Sequence, residues 1–308
     1  MQPKHIQLRE RRDIGEIISV YFEFLKTNLI GFLNIFIRYN GIFLLGFLGV
    51  SYLLVTGFVG TFQASGNSAI NEKMITSQMY MGFGVISFFI LFIITAVLNY
   101  SLAASYIINY EKSETITVDK TQVWKLVSDN LGKILLFILV LILLYVALSI
   151  VGVILALIPI IGTLAYYLLM MAFTSWVGVS FMAMLYKNLD ITNAFGEGWR
   201  LVTTYFWKSV LVNLVISLLL VLIMAVVLMV PGILIGIYTF HSIDSGVDLA
   251  TSPFAKIIWI IALTILLFLY TFNQSLSQFI NGILYFSLHE ETYNEKTRER
   301  IEQIGTSE

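Results

Sequence analysis

Asp190-Ile-Thr-Asn-Ala-Phe-Gly-Glu-Gly-Trp-Arg-Leu-Val-Thr-Thr-Tyr-Phe-Trp-Lys208 begins polar, turns aromatic, and then runs into an apolar stretch that ends near Val230-Pro231-Gly232. On a helical wheel Ala194, Phe195, Gly198, Trp199, Leu201, Val202, Tyr205 and Phe206 form one broad stripe. Asn193, Glu197, Arg200, Thr204 and Lys208 form the opposite one. A stripe of rings facing a stripe of charges reads as a helix lying in a membrane surface, rings toward acyl chains. After Lys208 no charged residue or histidine appears until His241, so the chain is expected to turn and cross the bilayer.

The remainder of the chain fits this reading. Of its 308 residues 58% are hydrophobic and 12% charged, with a mean hydropathy of +0.87. Soluble domains carry about 25% charged residues, and half of that leaves too little polar surface to face water on every side. A net charge of −1 supplies no basic field for nucleic acid. The absence of cysteine excludes disulfides and thiolate metal sites. Met1 to Glu16 is polar and basic and the first long apolar run begins only at Tyr39, so no cleavable signal peptide is expected.

Read in order, Ile14, Ile17, Ile18, Tyr21, Phe22 and Leu25 recur at helical spacing with Glu16, Glu23 and Lys26 off that face. A first span is expected over 39–60, a polar loop over 61–79, and a second span over 80–110. A second amphipathic segment covers 117–130, spans three and four cover 134–158 and 163–186, and Pro159-Ile-Ile-Gly162 turns tightly between them. The fifth span is 209–237, a loop with His241, Asp244 and Asp248 follows, and Pro253 opens a sixth helix to about Leu288, before a charged tail. The expected fold is therefore an all-α polytopic membrane protein, six transmembrane helices with about three interfacial amphipathic helices, folded as a single membrane domain. With the N-terminus inside, sixteen of the eighteen Lys and Arg fall on one side, which predicts that both termini are cytoplasmic.

A shift of 75 residues lays Trp124-Lys-Leu-Val127 over Trp199-Arg-Leu-Val202 and Lys133 over Lys208. A shift of 102 lays Asn28 over Asn130. These matches suggest a threefold parallel repeat with units at about 14–110, 117–186 and 192–288.

The run Asn193-Ala-Phe195, Gly198-Trp-Arg-Leu201 and Tyr205-Phe-Trp207, with the helix closed by Val230-Pro231-Gly232, resembles the membrane domain ahead of some bacterial glycerophosphodiester phosphodiesterases. It is also similar to a set of uncharacterised six-helix bacterial integral membrane proteins. The end of the chain, with Arg300-Ile-Glu-Gln-Ile-Gly305, resembles Bacteroidota-type proteins of this size encoded beside other small membrane proteins and a MoxR-type ATPase. That resemblance implies membership of an inner-membrane envelope assembly. No catalytic domain is expected after the spans, so the phosphodiesterase activity is not expected to carry over.

Nothing in the residues replaces it. His5, His241 and His289 lie in three separate segments, and no HExxH, GxSxG or phosphate-binding glycine loop occurs. We expect no enzyme, no metal and no cofactor. His241, Asp244 and Asp248 read as a solvated loop, and His289-Glu-Glu291 as a helix end entering water. The spans carry uncharged polar groups instead, among them Asn99, Asn109, Gln274, Gln278 and Asn281, of which the last three share one helical face. They bond between helices, line a path for a lipid or solute, or touch a partner helix. Gly41, Gly46 and Gly49, and Ser149 with Gly152, are expected to let helices approach closely. Trp124, Trp199, Arg200, Trp207 and Lys208 are expected interfacial anchors. The expected partners are the bilayer and other membrane subunits. The function expected is that of a non-catalytic subunit, with a lipid carrier or flippase as the alternative.

Overall fold

The computed structural model describes residues 5–65, 72–113, 117–244, 252–296 and 298. Among these the chain is all helix: α1 (Ile14–Ser65), α2 (Glu72–Ser113), α3 (Lys120–Asp129), α4 (Leu131–Ala156), α5 (Ile161–Tyr186), α6 (Ile191–Thr204), α7 (Phe206–Asp244) and α8 (Pro253–Tyr293). Six of them, α1, α2, α4, α5, α7 and α8, are long and apolar enough to cross a membrane, and the chain is a multi-pass membrane protein.

Lengths depart from the expected spans in an instructive way. At 1.5 Å per residue the 26 residues of α4 and of α5 reach about 39 Å, close to one bilayer crossing. The 52 residues of α1 reach about 78 Å. The first amphipathic segment is thus not a separate surface helix, since it continues without a break into its span. Arg38 lies inside α1, and the helix is unbroken there. Separate amphipathic helices exist at α3 and α6. At the far end of the fifth span α7 also continues, through Pro231, to Asp244. The missing proline N–H does not stop a helix with so little else to bond, because hydrocarbon penalises an unwound backbone more than it penalises one lost bond. Both expected loops are shorter than read, and Asp248 and the tail beyond Arg298 lie outside the described residues.

The turn between α4 and α5 is tight and uncharged, as expected. Ile158 N donates to Leu155 O at 2.9 Å, Ile161 N to Pro159 O at 2.7 Å and Gly162 N to Ile158 O at 3.0 Å, so the turn bonds to itself. Ile160 holds φ 62°, a left-handed value that is unusual for a β-branched residue.

The chain packs as two compact units: Met1–Ile35, Tyr100–Leu218 and Ser275–Glu308 form one, and Phe36–Asn99 with Leu219–Gln274 the other. In the first, α6 presents Ala194, Gly198, Leu201 and Val202 inward. Phe195 stacks on Phe137 with ring centres 4.6 Å apart, and Trp176 Nε1 donates to Phe195 O at 2.9 Å. Ala194, Gly198, Leu201 and Val202 on the apolar face of α6 are therefore covered by the chain's own helices rather than by acyl chains, which corrects the sequence reading for them, while Trp199 of the same stripe stays exposed. Asp190 caps α6 and takes a hydrogen bond from the Asn193 side chain, which holds its carboxyl below the usual range. Asn28 and Asn130, which superpose in the 102-residue shift, make the same local bond, each to the carbonyl four residues back, at 3.1 and 2.9 Å.

The second unit has a small core of Phe47, Val50 and Leu267, flanked by Leu44, Leu54, Phe88, Leu91 and Leu263. Its close approaches fall elsewhere than expected. Gly41 and Gly49 face open space and Gly46 meets only a flexible leucine tip, whereas a Cβ on Gly57 would lie 2.5 Å from Met81 N. In the first unit Gly152 does make the expected approach, to the Tyr166 ring. Gly57→Leu should accordingly separate α1 from α2 and lower the detergent melting temperature by several degrees, while Gly49→Leu should leave it unchanged. Size-exclusion profiles after a temperature series measure both.

Candidate functional site

The polar face of α8 extends further than its amide residues indicate. Gln274, Gln278, Asn281, Tyr285 and His289 fall within an arc of about 80° at 3.6 residues per turn. Gln278, Asn281 and Tyr285 are fully buried, and His289 nearly so. This corrects the reading of His289 and Glu290 as a helix end in water, since both are buried.

A bonded network lies at the centre of this face. Asn213 of α7 donates through Nδ2 to Asn281 Oδ1 at 3.2 Å and to Ser175 Oγ of α5 at 2.8 Å. Ser175 Oγ in turn donates to Ser209 O at 3.0 Å. Gly178 makes room for this arrangement, because a Cβ there would overlap the Asn281 side chain. Around the network are polar atoms with no hydrogen-bond partner among the described residues: both amide atoms of Gln278, Nδ2 of Asn281, the Tyr285 hydroxyl, Nε2 of His289 and Oγ of Ser180. A dry, unpaired group of this kind costs about 1–3 kcal/mol. Every such atom on α8 past Gln274 belongs to the same stripe.

One end of the first unit is closed by charges and by the segment ahead of α1. His5 stacks on Tyr110 at 4.4 Å, Ile6 N donates to Tyr110 Oη at 2.8 Å, and Leu8 N donates to Glu111 Oε2 at 3.2 Å. Arg12 donates to the carbonyls of Leu8 and Gln7 and pairs with Glu10, and its own N–H reaches Ser287 Oγ at 3.2 Å. Burial lowers the Arg12 guanidinium from its ordinary pKa, against the opposing pull of the Glu10 and Glu16 carboxylates. Lys208 bonds Arg12 O at 2.9 Å and pairs with Glu291. Arg9 meets Glu295 at 2.8 Å, and Lys296 meets Glu111 at 3.9 Å. The polar N-terminal segment is thus partly core: Leu8 is fully buried and Ile6 and Arg12 nearly so.

The expected site residues sort by depth. Asn99 is buried and donates to Thr271 O at 3.2 Å. Asn109, half-buried, bonds Ser105 O on its own helix at 2.8 Å. Gln278 and Asn281 face the chain's own helices, so neither they nor Asn99 offers an outward contact to lipid or to a partner; Gln274 is half-buried. Trp124, Trp199 and Trp207 are 41%, 58% and 63% exposed. Arg200 lies over the Tyr293 ring at 5.4 Å and Lys208 is taken up by Glu291, so protein partners engage both cations. Among the described residues no three His, Asp or Glu side chains group as a metal site would. The sequence reading stopped the stripe at Asn281, although Tyr285 and His289 continue it at the same spacing. Compared with models of known families, with curated proteins and with solved structures, the chain finds no match.

Two substitutions separate the bonded from the unbonded part of the stripe. Asn213→Ala strands Asn281 and Ser175 and should cost about 0.6–2 kcal/mol of stability. Gln278→Leu removes two unpaired atoms at nearly constant volume and should be neutral or stabilising. Steric-trap or denaturant unfolding in detergent gives the sign of each change. A third change tests the clamp: Arg12→Met should free the segment ahead of α1, seen as faster proteolytic cleavage between residues 5 and 13 with the spans intact.

Proposed function

We propose that the chain is a non-catalytic integral subunit of a multiprotein complex in the bacterial inner membrane, with both termini cytoplasmic and with other small membrane subunits and a MoxR-type ATPase as its companions. The observation that supports this reading most is the closure of the α8 polar stripe by the chain's own helices. A carrier would present those amides to its cargo. The crevices described at the surface, of about 410, 210 and 380 Å³, are lined almost wholly by apolar side chains and include none of the stripe. Where the chain is exposed its helices are apolar, as a bilayer requires, while α3 and α6 carry Trp124, Lys125, Trp199 and Thr203 on open faces at which a neighbouring subunit would seat. The lysine and arginine asymmetry supports the orientation, and the likeness of the tail to subunits encoded beside such an ATPase supports the partners.

Affinity purification from the native membrane in a mild detergent tests the reading together with reconstitution of the isolated chain. The chain should co-elute with the other subunits at fixed stoichiometry. Alone in vesicles, it should move no fluorescent phospholipid between leaflets. A chain that elutes by itself and moves phospholipid by itself is a carrier, and the subunit reading then fails.

A further inference from the structure

Of the three apolar crevices, one has a cation at its edge. It is lined by Leu54, Val55 and Phe58 of α1, Met81 of α2, and Trp259 and Leu263 of α8, with a volume of about 410 Å³. That size falls within the range of sites that hold a small ligand. Lys256 stands one helical turn before Trp259 on α8, and its Nζ lies over the Tyr52 ring at 5.4 Å; Tyr52 stands one turn before Val55 on α1. No carboxylate pairs with Lys256 among the described residues, and the lysine is half-buried. Phe58 and Met81 are 58% and 39% exposed, so the crevice opens to the side of the helices, where acyl chains run.

We infer that this crevice is a binding site for one anionic glycerophospholipid, an acyl chain lying between Leu54, Met81 and Leu263 and the headgroup phosphate paired with Lys256. An alkyl chain asks for an apolar lining, which Leu54, Val55, Phe58, Met81 and Leu263 supply here beside the Trp259 indole. A phosphate at the membrane surface asks for a cation whose stem can cross the apolar layer, and a lysine bent over a tyrosine ring supplies it. The other two crevices share the apolar lining but have no lysine or arginine within one helical turn of their lining residues, so they select no headgroup. The site lies within the second unit and does not rest on the subunit reading.

Trp259 reports directly on occupancy. The full chain in an uncharged detergent is titrated with phosphatidylglycerol brominated on its acyl chains, with the matching phosphatidylcholine, and with inorganic phosphate, and tryptophan quenching is followed. Phosphatidylglycerol should saturate at about a five-fold lower concentration than phosphatidylcholine, the factor expected of one lysine at an anionic headgroup. Phosphate alone should not compete. Trp259→Phe should remove the saturable quenching, Leu263→Phe should weaken both lipids, and Lys256→Gln should bring phosphatidylglycerol level with phosphatidylcholine. Lys256→Arg should keep the preference, which separates a lost charge from a lost fold, and Lys73→Gln should keep it too. Equal quenching by the two lipids in the unmodified chain overturns the site. So does a Lys73→Gln loss as large as that of Lys256→Gln, which would mark general attraction to the surface.

Discussion

Hydrocarbon offers no hydrogen-bond partner, and this constraint arranges most of what is seen here. Every amide and hydroxyl inside a span must find another inside the chain or bear the full cost of desolvation. The chain meets the demand with uncharged groups. Asn213, Asn281 and Ser175 bind one another across three helices, and Asn99 reaches the Thr271 carbonyl. Helices that carry few such groups, α4 above all, expose leucine and isoleucine around most of their girth. The burial pattern of each helix follows from where its polar residues fall, so polar content sets which face turns inward.

At one end of the first unit the same logic runs with charges. Lys208 with Glu291, Arg9 with Glu295 and Arg12 with Glu10 pair around the segment that precedes α1. A buried ion pair adds little net stability, yet removing one partner strands the other, so clusters of this kind act as fasteners of geometry more than as sources of free energy. Arg12 shows the point. It spends its donors on the carbonyls of Leu8 and Gln7, which fixes an extended segment that has no helix or strand to satisfy it. Two aromatic clusters, one of Phe24, Phe32, Tyr106 and Phe279 and the other of Phe137, Phe181, Phe195 and Trp176, supply packing within the first unit.

Much of this was legible in the residues. The six apolar helices follow from composition and from the spacing of charges, and the tight turn at Pro159 follows from Pro and Gly placed between two uncharged runs. Two things were not legible. The direction of an amphipathic face cannot be read from its periodicity, because acyl chains and the aromatic side of another helix look alike to a row of apolar residues; α6 covers α5 for that reason. Charge alone also says little about depth. Arg12, Glu111 and His289 sit among charged neighbours in the chain, as surface residues do, and are buried because distant segments close over them. The same holds for close approach: Gly57 and Gly49 are equivalent until the neighbouring helix is placed.

The claim on which the account turns is that the α8 polar face looks into the chain while the face of α7 that carries Leu222, opposite in role to the buried Asn213 face, looks into lipid. Nitroxide labels at Gln278 and at Leu222, read by power-saturation EPR against oxygen and a water-soluble relaxant in a lipid bilayer, test it directly. The account predicts a label at Leu222 that is strongly relaxed by oxygen and one at Gln278 that neither reagent reaches well. High oxygen access at Gln278 would contradict it.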